Sequence, residues 1–66
     1  MTKMIYLTNY YYEVNKTYEK RIAVNVDAIT DIIDCGGSIV ALNNGRTYNV
    51  RENIEKIVEL IEDKKV

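Results

Sequence analysis

The 66-residue chain has no proline, histidine, tryptophan or phenylalanine, and only one cysteine. Each absence removes a class of function. Without histidine, the commonest general base near neutral pH is missing, and Cys35 lacks the usual partner that would activate it as a nucleophile. One thiol without imidazoles cannot build a zinc site. It also forms no disulfide within the chain, and a lone thiol suits a reducing compartment. The net charge of −1, from 9 basic and 10 acidic residues, sets up no overall field to gather nucleic acid or an anionic membrane. No apolar run reaches the roughly 18 residues of a spanning helix. Residues 1–6 lack the basic-then-apolar order of a signal peptide, so a cytoplasmic location is expected.

The chain is short enough to be a single domain, 1–66. A domain of this size buries roughly 60% of the surface its unfolded chain exposes, which leaves it marginal alone. Disulfides, metals and partner subunits are the usual reinforcements. The first two fail on composition, so a homo-oligomer is expected.

Alternation of apolar and polar residues marks the strands. Over residues 4–12 it places Ile5, Leu7, Asn9 and Tyr11 on one face and Tyr6, Thr8, Tyr10 and Tyr12 on the other. Residues 13–19 are polar and read as a loop around Asn15-Lys16. A second strand follows over 21–26, with Ile22, Val24 and Val26 on one side. Residues 26–29 form a short turn in which the Asp27 carboxylate can accept a backbone N–H. Further strands are expected over 29–34, 39–42 and 46–50. The Gly36-Gly37 loop separates the first two of these, and Asn44-Gly45 joins the last two as a type I′ hairpin. From residue 51 or 52 to 64, Ile54, Ile57, Val58 and Ile61 recur at helical spacing, with Leu60 widening the stripe. Asn49 or Asn53 caps that helix, and Glu52 and Lys56 are set to pair along it. The fold class is α+β: a small antiparallel sheet of four to five strands with one C-terminal helix packed on one face.

Several chemical motifs are approached and not completed. Asp27, Asp31 and Asp34 lie close together, but the segment lacks the alternating oxygen ligands and terminal glutamate of a calcium loop. Gly36-Gly37 lacks the remaining glycines and the Lys-Ser/Thr of phosphate-binding loops. No catalytic residue, metal ligand or cofactor is expected, and the chain is not read as an enzyme.

All aromatic residues are tyrosines, six in number. Tyrosine suits interfaces because its ring buries area while its hydroxyl stays polar. Neighbours in a strand face opposite ways, so Tyr10, Tyr11 and Tyr12 cannot all enter one core. Tyr10, Tyr12 and Tyr18, with Lys20 and Arg21, are the candidate partner-binding residues. The leading reading is a binding module that oligomerises, engages a protein partner and so can inhibit it. A second reading is an oligomer sequestering a small nucleotide between tyrosine and Arg21, Arg46 or Arg51. A nucleic-acid-binding module is third, disfavoured by the acidic helix face.

Three segments resemble a family: Val24-Asn25-Val26-Asp27-Ala28-Ile29-x-x-Ile32, then Val40-x-Leu42-x-Asn44-Gly45-x-x-Tyr48-x-Val50-x-Glu52, then the apolar helix. Together, over residues 22–61, they resemble the FlbD-like short bacterial and phage proteins of flagellar and swarming accessory type. The resemblance implies a small β-rich domain with a terminal helix, an accessory binding role, and no catalytic residues to carry over. The start of the chain departs from the family pattern: Tyr10-Tyr11-Tyr12 leads into the polar stretch 13–19 where those proteins have a tight Asn-Gly turn. Residues 29 onward also look like the tail of LytTR-type DNA-binding domains, which are longer.

Overall fold

The alternation that begins at Met4 belongs to a strand longer than expected. A computed structural model describes residues 3–62. Strand β1 spans Met4–Glu13 and β2 spans Lys16–Asn25, paired antiparallel without interruption from Met4↔Asn25 to Glu13↔Lys16. The expected loop over 13–19 is therefore corrected to two strand ends and a two-residue turn. Val14 and Asn15 sit at φ of 51° and 62°. Two successive positive φ values mark the hairpin turn whose twist matches that of its flanking strands. Asparagine enters that region readily and a β-branched valine seldom does, so the pair is a poor turn signal in sequence. The longer loop that set this chain apart from the FlbD-like pattern is absent.

A 3-10 turn at Val26–Ala28 leads into β3. Its cap is the Asn25 carboxamide, whose Oδ1 accepts from the Asp27 N–H at 2.9 Å, in place of the expected Asp27 carboxylate. Strand β3 spans Ile29–Asp34, β4 Ser38–Leu42 and β5 Thr47–Val50, and the sheet order is β2-β1-β5-β4-β3. Among the described residues five strands form, each antiparallel to its neighbours. The β4–β5 hairpin is present, but not as a two-residue I′ turn. Gly45 donates to the Leu42 carbonyl and Leu42 donates to the Arg46 carbonyl, while only Gly45, at φ 88°, has left-handed backbone there. This is the three-residue hairpin class, a turn closed by a left-handed glycine.

Helix α1 spans Ile54–Glu62. Asn53 is its cap, with Oδ1 accepting from the Lys56 N–H at 2.8 Å, which decides between the two asparagines. Glu52 precedes the helix, so the expected Glu52–Lys56 pair does not form. The expected continuation to residue 64 lies outside the described residues. Among the described residues the core is Ile5, Leu7, Val24, Val40, Val50 and Ile57, flanked by Ile22, Val26, Ile29, Ile32, Leu42, Tyr48, Leu60 and Ile61. Ile57 is the one fully buried helix side chain, while Val58 faces largely outward.

Two substitutions test this account. Ile57→Ala removes the helix's central contact and is expected to cost about 2–5 kcal/mol, read by urea denaturation. Replacing Val14-Asn15 with Asn-Gly relieves the left-handed valine and is expected to raise stability by about 1 kcal/mol. A lower melting temperature would contradict the turn assignment.

Candidate functional site

Strand β1 meets β5 at a single rung, Asn9↔Val50. Side chains and backbone secure the junction. Glu52 stands where a continuing β5 would have been: its Oε1 accepts the Thr8 N–H at 2.9 Å and its Oε2 accepts from Thr8 Oγ1 at 3.0 Å. The Arg51 N–H donates to the Thr8 carbonyl. Asn9 Nδ2 donates to the Asn49 carbonyl and Ser38 Oγ to the Glu52 carbonyl, both at 2.8 Å. Asn9 and Ser38 are buried polar groups, and these bonds satisfy them. A Cβ at Gly37 would lie 3.1 Å from the Val50 carbonyl oxygen and 3.5 Å from the Tyr10 hydroxyl, so the junction is tight enough to favour glycine there.

Beyond Asn9, β1 and β2 continue as a two-stranded ribbon through Tyr10↔Glu19, Tyr11↔Tyr18, Tyr12↔Thr17 and Glu13↔Lys16. Its two faces carry separate aromatic clusters. On the face continuous with Leu7 and Asn9, Tyr11 and Tyr18 stack across the strands with centroids 5.5 Å apart and planes 21° apart. Lys20 Nζ lies 5.8 Å from the Tyr11 ring. On the opposite face, Tyr10 and Tyr12 meet edge to face at 6.5 Å. The Arg51 guanidinium lies 4.2 Å over Tyr10, and its Nε donates to Glu19 Oε2 at 2.8 Å. Nearer the base of that face, Arg21 covers Tyr6, also at 4.2 Å.

The five predicted binding residues thus lie on the ribbon and at its base, but on two faces. Tyr10, Tyr12 and Arg21 share one; Tyr18 and Lys20 share the other. Tyr12 is 74% exposed, whereas Tyr10 is half-buried between Arg51 and the Gly37 loop. Tyr11 was missing from the predicted set because alternation assigns it to the core side, yet the core ends before it. Arg51 was assigned only to the nucleotide reading, although it braces Tyr10. Reading Val14-Asn15 as a turn would have exposed both clusters through the cross-strand register. Elsewhere, Cys35 is an exposed free thiol. Among the described residues no group of three His, Cys, Asp or Glu side chains is placed to hold a metal, and no pocket forms.

Small antiparallel sheet, Asn-Gly hairpin and C-terminal helix together define a small α+β domain. The chain belongs to the FlbD family, described as flagellar and swarming motility proteins, whose family model matches residues 4–65. No curated protein and no solved structure shows a significant match.

The ribbon's aromatic contact can be measured directly. A double-mutant cycle of Tyr11→Ala and Tyr18→Ala is expected to give a coupling of about 0.2–1 kcal/mol, the range of an exposed cross-strand aromatic pair. Additive effects would mean that the rings do not stack in solution.

Proposed function

We propose that this FlbD-family chain is a non-enzymatic, cytoplasmic accessory protein that self-associates, binds a protein partner and can restrain that partner's activity. The tyrosine ribbon carries the contact. The observation supporting this reading is the continuation of β1 and β2 past the core, bearing Tyr10, Tyr11, Tyr12 and Tyr18, none of which belongs to the core formed among the described residues. Bracing the hairpin accounts for the stacked and cation-covered rings but leaves Tyr12, 74% exposed, largely open to contact. Clustered tyrosines with an arginine nearby are the side chains that dominate binding energy at protein interfaces. Lys20 and Arg21 add charge at the ribbon's base, favouring a partner with acidic groups beside its apolar contact.

The Arg51–Tyr10 and Arg21–Tyr6 pairs support the second reading, a compact nucleotide held between copies. That ligand would raise the melting temperature in proportion to its logarithmic concentration.

The test uses purified protein immobilised against extract of the cell that makes it. Tyr12→Ala and Tyr18→Ala are expected to keep the wild-type circular dichroism spectrum and lose the captured partner, with affinity falling on the order of tenfold or more per ring. Capture that survives both substitutions would overturn the ribbon reading.

A further inference from the structure

Among the described residues the sheet ends in two unpaired edges, β2 on one side and β3 on the other. Val26 donates to the Lys3 carbonyl. The alternation of an antiparallel ladder then turns the backbone groups of Thr17, Glu19, Arg21 and Ala23 away from β1. Such an edge is a template for another strand.

The two edges have opposite charge. Strand β2 carries Lys16, Lys20 and Arg21 against Glu19 alone, and Glu19 is already held by Arg51. Strand β3 carries Asp31 and Asp34 and no cation. Asp27 precedes it, and helix α1, which packs against β3, carries the exposed Glu55 and Glu59. A register shift between Ile29 and Asp31 breaks the start of β3, which leaves residues 31–34 as its regular part. Ile33, half exposed, supplies apolar area there.

We propose that a second copy of this chain docks head to tail, with β3 of one protomer extending the sheet along β2 of the next. Charge complementarity selects this arrangement. Pairing β2 with β2 would bring cations together, and pairing β3 with β3 would bring carboxylates together. A head-to-tail contact repeats, so it closes into a ring where the rotation allows and otherwise grows as a filament. The proposal deepens, and rests on, the self-association in the proposed function.

The test is charge exchange between the edges of the full-length chain, read by native mass spectrometry and sedimentation at low salt. The double variants K20E/R21E and D31K/D34K are each expected to keep the wild-type circular dichroism spectrum and to self-associate on the order of tenfold or more weakly than wild type. Mixed one to one, they are expected to recover assembly, because every contact between unlike copies is complementary again. A chain carrying all four substitutions should assemble alone. Should K20E/R21E fold poorly, with its cations lifted from Tyr11 and Tyr6, D31K/D34K against wild type reports the acidic edge by itself, and wild-type assembly should weaken as salt rises. Assembly that is indifferent to these exchanges and to salt would overturn the edge pairing. A wild-type chain that stays monomeric at every concentration would overturn self-association itself, while capture through Tyr12 and Tyr18 would still decide the ribbon reading.

Discussion

The arrangement depends on how β1 is held to β5. Two strands of a sheet normally share several rungs, and here they share one, Asn9↔Val50. The carboxylate of Glu52 completes the ladder with a side chain, taking the Thr8 N–H and hydroxyl after β5 has turned away toward the helix. Charge-assisted bonds to backbone N–H groups are among the stronger hydrogen bonds in proteins. The same turn carries Arg51 across to Tyr10 and lets Ser38 close on the Glu52 carbonyl. A few polar contacts therefore join the N-terminal hairpin to the meander of β3, β4 and β5. They also let the chain leave the sheet early enough for the helix to cover the core.

That early departure creates the ribbon. Strand β1 has ten residues and β5 has four, so past Asn9 the one strand paired with β1 among the described residues is β2. Two-stranded ribbons are marginal in water without a packed face. Here the aromatic and cation contacts on both faces supply part of what a third strand would have supplied. The rings that brace the ribbon are also the rings it presents to solvent, so stability and recognition draw on the same side chains. Tyr12, with the most exposed ring, is free of most of the bracing, while Tyr10 is committed to it.

Much of the fold was legible in the sequence. Period-two alternation located β1, the apolar stripe located the helix, and Asn44-Gly45 located the β4–β5 hairpin, although its turn class differs. The resemblance to FlbD-like proteins agrees with the family to which the chain belongs. What was hidden involved residues acting against their local pattern. Val14 turns the chain at a φ its branched side chain disfavours, so the polar stretch around it looked like a loop. Glu52 fits a helical i,i+4 pair with Lys56 on spacing alone, yet its partner is Thr8, 44 positions away. The tyrosine clusters depend on which residues face one another across strands, and that register could not be read while the turn was misplaced.

The central claim is that the ribbon, not the helix, is the surface presented to a protein partner. Site-specific photocrosslinking in the producing cell tests it most directly, with the reactive residue placed at Tyr12 in one strain and at Glu59, exposed on α1, in another. The account predicts a discrete crosslinked species containing a different protein from position 12, and none of that species from position 59. The same partner captured from position 59, with position 12 silent, would contradict it.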